Sequence, residues 1–196
     1  MARLMVFVDG ENLTLRFQEM VKEGRNARTE TSPNLWEHLF AVDHIQDKFA
    51  WSPGTVRGLF GDEELLRAQY YAMCESGGDD AERLSEHIAA QNAIMFYAGT
   101  RSTVRLMPRV FQKTKKNTKT KSVDINVCVD VLDYVERDAL DTVFLVTGDI
   151  DYLPLLEAVM RAGKRVIVGA LSSGVAPRLR HATDRFVDLD PVYFIS

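Results

Sequence analysis

The sequence has few of the features that mark secreted, disulfide-rich or membrane-spanning proteins. Only two cysteines occur in 196 residues, Cys74 and Cys128, and both lie in apolar segments, as expected of buried free thiols in a reducing compartment. No run of about 18 apolar residues is present that could cross a membrane. The first apolar run ends at Asp9, too early for a signal peptide. We therefore expect a cytoplasmic protein with no membrane attachment, folded as a single domain over residues 1–196.

The chain has little net charge, −4, but that charge is unevenly distributed. The segment RSTVRLMPRVFQKTKKNTKTK holds eight basic residues and no acidic ones, so the rest of the chain carries −12. A solvated loop is the ordinary explanation of such a run, but the asymmetry favours a surface that binds a nucleic-acid backbone. The residues predicted to bind it are Arg101, Arg105, Arg109, Lys113, Lys115, Lys116, Lys119 and Lys121.

Short apolar runs alternate with segments of helical spacing along most of the chain. The predicted strands cover 4–8, 66–73, 94–97, 104–111, 143–146 and 165–169, and the predicted helices cover 13–21, a segment from 79 or 80 with Leu84 and Ile88 facing inward, and 152–161. This alternation predicts an α/β fold with a mostly parallel sheet covered on both faces. Glycine and proline interrupt residues 23–62, which we interpret as an insertion with a helix near 36–40.

Residues 122–137, SVDINVCVDVLDYVER, fit a helix better than a strand. The spacing predicts a polar stripe of Asn126, Asp130, Asp133, Tyr134 and Arg137 and an apolar face of Ile125, Cys128, Val129, Leu132 and Val135. On this wheel Asp124 projects into the apolar arc, whereas Asp130 points into the polar stripe. A carboxylate that faces a buried surface is costly unless something compensates it. The alternative is that Asp124 only stabilises the N-terminus of the helix.

Four carboxylates are predicted to meet at one edge of the sheet. Asp9 ends the first strand, Asp124 opens the middle helix, Asp149 follows the strand at 143–146, and Asp151 is predicted to be the N-cap of the helix after it. The carboxyl ends of parallel strands share one edge, where ligands bind. Each acid has a local explanation as a turn or a cap. Together they would repel one another without a cation, so the pattern favours a site for Mg²⁺ or Mn²⁺.

Three sequence blocks resemble the NYN domain in its LabA-like branch, within the PIN-like nuclease superfamily. They are FVDGENL, KSVDINVCVDVL and LVTGDIDYLPLLEAV, and the match extends to GKRVIV and ATDRFVDL, leaving out residues 23–62. Each block alone is weak, but the three occur in order at the expected strand or helix. The resemblance implies a PIN-like three-layer α/β sandwich and metal-dependent hydrolysis of RNA. It also implies RNA as the partner, and we add homodimer formation as an expectation.

The resemblance assigns roles to individual residues. Asp9 matches the first acid and Asn12 its polar companion; Asp124 matches the acid that opens the middle helix, and Lys121 the basic residue before it. Asp149 matches the acid after the late strand, with Asp151 beside it. The implied metal ligands are Asp9, Asp124, Asp149 and Asp151, with Asn12 as a further catalytic residue. Thr147 stands where the family often has serine, and its hydroxyl is expected to orient a ligand by a hydrogen bond.

Three other functions are compatible with parts of the pattern. A phosphatase of the haloacid dehalogenase type needs Asp-x-Asp directly after its first strand, where this chain has Asp9, Gly10 and Glu11. A toprim-like site pairs a first-strand acid with a late Asp-x-Asp, but it prefers glutamate first and gives Asn12 and Asp124 no role. The third alternative is a catalytically silent module that binds RNA or protein, and it gives no reason to keep mutually repelling acids.

Overall fold

The computed structural model describes residues 1–29, 39–59, 63–74, 79–94, 103–112 and 122–195. The strands are β1 (Ala2–Asp9), β2 (Asp43–Ile45), β3 (Phe49–Trp51), β4 (Glu63–Cys74), β5 (Asn92–Ile94), β6 (Val104–Gln112), β7 (Thr142–Val146), β8 (Arg165–Ala170) and β9 (Arg185–Asp188). The helices are α1 (Gly10–Lys22), α2 (Asp79–Ala90), α3 (Ser122–Glu136), α4 (Leu153–Arg161), α5 (Pro177–His181) and α6 (Asp190–Tyr193). Two short 3₁₀ helices cover Pro53–Leu59 and Ile150–Tyr152.

The central sheet has seven strands in the order β5-β6-β4-β1-β7-β8-β9. Its neighbouring strands are parallel except for the pair β5 and β6. From β1 the chain passes to β4 on one side, and α3 later returns it from β6 to β7 on the other side of β1. The carboxyl end of β1 therefore lies where the direction of winding reverses, which is the usual place for a ligand in such sheets.

Two hydrophobic clusters fill the two faces of the sheet. One contains the inward residues of α1 and α2, including Phe17, Leu84 and Ile88. The other contains inward residues of α3, α4 and α5, including Val127 and Leu156. The predicted α/β sandwich, with a mostly parallel sheet and helices on both faces, is confirmed.

Strand β3, which lies within the segment 23–62, belongs to the core rather than lying over it. Phe49, Ala50 and Trp51 are fully buried in the cluster that also holds Phe17. The indole Nε1 of Trp51 donates a hydrogen bond to the carbonyl oxygen of Asn92 at 2.9 Å. The helix expected near 36–40 and the strand residues 95–97 lie largely outside the described residues. That this segment is an insertion on the family fold stays a prediction.

Helix α3 forms as predicted, but the predicted inward face is only partly right, since Val135 is buried and Cys128 and Leu132 pack against the core. Val127 and Val131 are buried, whereas Ile125 and Val129 are 58% and 57% exposed. Two members of the predicted polar stripe instead meet the sheet: Tyr71 donates from its hydroxyl to Asp130 Oδ2 at 2.7 Å, and Gln69 Nε2 donates to the hydroxyl of Tyr134 at 2.9 Å. Apolar residues lie all round this helix, so their spacing alone could not select the buried side.

The predictions about the cysteines and about membrane-spanning segments can be compared with the structure. Both cysteines are free; Cys74 is buried as predicted, but Cys128 is only half-buried. Among the residues that the structure describes, no helix is long and apolar enough to cross a membrane. The cytoplasmic location and homodimer formation stay predictions.

Candidate active site at the carboxyl edge of the sheet

The carboxylate of Asp9 is buried at the end of the central strand and is 3% exposed. It caps α1, because Oδ1 accepts a hydrogen bond from the backbone N–H of Asn12 at 3.1 Å. Oδ2 accepts one from the hydroxyl of Thr147 at 3.2 Å. Both donors are neutral. Burial, and to a smaller extent the nearby charge of Asp124, raises the pKa of Asp9 to about 7.

Gly10 allows α1 to begin immediately after Asp9. A Cβ atom at this position would lie 2.2 Å from Cε1 of Tyr70 and 2.5 Å from the carbonyl oxygen of Tyr71. Backbone cannot be pushed aside as a flexible side chain can, so only glycine fits between β1 and the neighbouring β4. Close packing therefore requires glycine directly after Asp9, and this fixes the position of the Asp9 carboxylate.

The loop after β7 is tied to the start of α1. The carboxamide Oδ1 of Asn12 accepts a hydrogen bond from the backbone N–H of Gly148 at 3.0 Å. Thr147, which donates to Asp9, also accepts from the backbone N–H of Asp149 at 3.2 Å. Asn12 and Thr147 thus hold the ends of two adjacent strands together, which is how the structure places these two sequence-predicted residues.

Asp124 lies in the first turn of α3, half-buried on the flank of the helix's buried face. Its carboxylate accepts a hydrogen bond from the hydroxyl of Tyr152 at 3.2 Å. Burial, followed by the charges of Asp9 and Asp124, raises the pKa of Tyr152, so its hydroxyl stays protonated and able to donate. Tyr152 was missed from the sequence, where only its position beside Asp151 connects it with the site.

Asp149 and Asp151 lie in the 3₁₀ turn region between β7 and α4. Asp149 is half-buried, and its Oδ1 accepts a hydrogen bond from the backbone N–H of Asp151 at 3.0 Å. Asp151 is exposed. The prediction that Asp151 caps the late helix is wrong, because the extra 3₁₀ turn makes Asp149 the capping residue and places Tyr152 directly before α4.

The donor set suits a hard divalent cation only in part. Asp9 and Asp124 supply carboxylate oxygens, they repel one another, and the hydrogen-bond donors to Asp9 carry no charge. A cation between them would relieve both effects. Within the described ranges, however, no three histidine, cysteine, aspartate or glutamate side chains form a group that could hold a metal ion. The four-aspartate ligand set therefore stays a prediction.

Two residues of the basic run can be located. Arg105 and Arg109 are exposed on β6, where Arg109 pairs with Asp130 of α3 at 3.0 Å. The other residues predicted to bind RNA, Arg101, Lys113, Lys115, Lys116, Lys119 and Lys121, lie outside the described residues. The run as a nucleic-acid surface stays a prediction, with Arg109 already engaged by a carboxylate.

Comparisons with known proteins extend over nearly the whole chain. The family model of the NYN domain matches residues 3–190. "Low amplitude and bright protein LabA" of Synechococcus elongatus is 23% identical over 193 residues, covering 97% of this chain and 86% of that protein. An uncharacterized protein of Methanocaldococcus jannaschii is 31% identical over 67 residues, covering 34% of this chain and 28% of that protein. A crystal structure of a protein of unknown function from Vibrio parahaemolyticus has a TM-score of 0.63 at 17% identity, covering 99% of this chain and 96% of that one.

Proposed function

Because the chain belongs to the nuclease-type NYN domain family, we propose that it is a metal-dependent ribonuclease that hydrolyses RNA phosphodiester bonds. Mg²⁺ or Mn²⁺ would be held by Asp9 and Asp124, with Asp149 and Asp151 as the further ligands. The observation that carries the proposal is the buried carboxylate of Asp9, whose pKa is raised to about 7 by desolvation and by Asp124. An acid in this position costs folding free energy, and a bound cation would give it a purpose.

Hydrogen bonds from neighbouring residues would orient the two carboxylates that hold the cation. Thr147 and the backbone N–H of Asn12 fix both oxygens of Asp9. Tyr152 fixes Asp124 from the other side. A bound divalent cation would supply an activated water and neutralise charge that develops on the phosphoryl oxygens. No serine, cysteine or histidine nucleophile is needed for this chemistry.

The experiment is a cleavage assay on labelled single-stranded RNA with Mn²⁺, with Mg²⁺, and with EDTA. Asp149→Asn should lose cleavage and still bind RNA, because the substitution removes a ligand charge while keeping the shape of the side chain. Glu136→Gln is the matched control, since Glu136 is an exposed acid at the far end of α3. Undiminished metal-dependent cleavage by Asp149→Asn would remove Asp149 from the ligand set.

The alternative is a catalytically silent module that binds RNA or a protein. The observation in its favour is that the described residues contain no three-ligand metal group. Wild-type protein that binds RNA but never cleaves it with either cation would establish this alternative and exclude the nuclease.

A further inference from the structure

A groove of about 470 Å³ opens beside the candidate active site. Its walls include Glu11, Thr14 and Leu15 from α1, Gln46 and Lys48 from the turn between β2 and β3, and Met73 from β4. The volume lies in the range of about 300–1,000 Å³ that is typical of small-ligand sites. The candidate catalytic residues do not line this groove, so it is a separate feature of the surface.

The groove lies directly next to Asp9. Glu11 is two residues after Asp9, in the first turn of α1. Met73 is two residues beyond Tyr71, which is the residue of β4 that pairs with Asp9 in the sheet. A nucleotide that flanks a phosphate at the aspartate site would therefore have this groove one helical turn away along α1.

The lining suits a neutral ring better than a phosphate. Leu15, 53% exposed, and half-buried Met73 give the groove two apolar walls that a planar ring could contact. Glu11 and Asp47 outnumber Lys48, whose ammonium also lies 3.7 Å from Asp80. The lining thus offers carboxylate and amide oxygens that can accept hydrogen bonds from the N–H groups of a base edge.

The far wall of the groove is held in a fixed shape. Asp47 has a backbone φ of 56°, in the left-handed region that aspartate tolerates better than most residues. Buried Gln18, with its amide oriented to satisfy both neighbours, donates to Asp47 Oδ1 at 2.7 Å and accepts from Nε2 of His44 at 3.0 Å. A turn anchored in this way would lose little entropy when a ligand binds.

We propose that this groove binds one unstacked base of a single-stranded RNA, at the nucleotide next to the phosphate that is cleaved. The inference rests on the proposed function, and it restricts the substrate to RNA whose bases are free. A base in a duplex stays paired and stacked and cannot enter a groove of this shape, whereas bases of single strands can be splayed out and held individually. Leu15 and Met73 would contact the ring faces, and Gln46 its polar edge.

The test compares an intact oligonucleotide with two abasic versions. One lacks the base just before the cleaved bond, and the other lacks the base just after it. Wild-type protein should cleave the intact RNA with a kcat/KM about tenfold higher than that for one of the two abasic versions. The double variant Leu15→Ala/Gln46→Ala should cleave the intact and abasic RNAs equally. The control is Val21→Ala, which alters another exposed apolar residue of α1, 41% exposed and outside the groove, and it should discriminate like the wild type.

Binding measured in EDTA separates this inference from the proposed function. Fluorescence anisotropy of the same oligonucleotides needs no cleavage. A protein that never cleaves RNA would contradict the proposed nuclease, but the difference in affinity between intact and abasic RNA could still be measured. Equal affinity and equal cleavage for intact RNA and both abasic versions would overturn the base-binding groove. A double variant that still discriminates as the wild type does would also overturn it.

Discussion

Asp9 is ionisable at a position where burial and a neighbouring carboxylate both oppose its charge. Its two hydrogen bonds come from a backbone N–H and a hydroxyl, which stabilise an anion but do not neutralise it. A buried asparagine of the same shape would avoid the repulsion. The retained acid is therefore the residue at which stability and the proposed activity oppose each other most directly.

The first prediction concerns the stability of the metal-free protein as a function of pH. The pKa of Asp9 is about 7 in the folded chain and about 4 in an unfolded one. Its contribution to stability is therefore fully present below about pH 4 and is lost as pH rises through about 7. In EDTA, Asp9→Asn should raise Tm relative to the wild type at about pH 8, and should raise it less at about pH 5.

Thermal denaturation followed by circular dichroism at the two pH values measures this effect. Glu136→Gln serves again as the control and should leave the pH dependence of Tm unchanged. Added Mn²⁺ should raise the Tm of the wild type more than that of Asp9→Asn, because binding to the folded state stabilises it. A Tm of Asp9→Asn that follows the wild type at both pH values would contradict the assignment of the shift to Asp9.

At the scale of elements, α3 carries two aspartates on opposite flanks of its buried face. Asp124 turns to Tyr152, beside the candidate site, whereas Asp130 turns to Tyr71 and Arg109 on the sheet. The two acids share a helix and a short sequence motif, but their surroundings give them different tasks. Asp130 holds the helix to β4 and β6, whereas the charge of Asp124 raises the pKa of Asp9.

The second prediction compares the same substitution, aspartate to asparagine, at Asp124 and at Asp130 of α3. Asp124→Asn should abolish cleavage and leave the free energy of unfolding unchanged or higher, because a repulsion with Asp9 is removed. Asp130→Asn should keep cleavage but lower the free energy of unfolding by about 1 kcal/mol, since a charged acceptor for Tyr71 and the half-exposed Arg109 is removed. Urea denaturation and the RNA cleavage assay give the two readings. Loss of cleavage in a stably folded Asp130→Asn would reverse the assignment.

The positions of elements could be predicted from the sequence far better than their orientation. The runs that became β1 and β7 are apolar and end at polar residues, so both strands and the acids after them were predictable. The inward side of α3 was not, because Ile125 and Val129 are as apolar as Val127 yet face solvent. The role of Tyr152 was also unpredictable, since a contact between two helices distant in sequence brings its hydroxyl to Asp124.

At the scale of the whole molecule, charge is separated along the chain. A net charge of −4 includes a run with eight basic residues, and that run leads directly into the helix that begins at Ser122. Arg105 and Arg109, which belong to this run, lie on β6. That strand is next to β4 and two strands from β1. An acidic site repels RNA at long range, and a basic flank offsets that repulsion.

The third prediction is that this run binds the backbone of RNA. Neutralising Lys113, Lys115, Lys116 and Lys119 together to glutamine should weaken RNA binding and flatten its salt dependence, by a slope of about 0.7 for every phosphate of a single strand that the variant no longer binds. Cleavage at saturating RNA should change much less, because the aspartates are intact. Affinity measured over a series of salt concentrations is the test. An unchanged affinity and slope would identify the run as a solvated loop.

The two hydrogen bonds that join β1 to the loop after β7 also bear on the protein's biosynthesis. They link Asp9 with Thr147 and Asn12 with Gly148, across 138 and 136 positions of the chain. A growing polypeptide that has made its first acid still lacks the groups that fix it, and it also lacks Asp124 and Asp149. If the chain is the nuclease proposed above, it would be inert for most of its translation. It would not cut the messenger RNA from which it is being read until the loop after β7 had left the ribosome and folded.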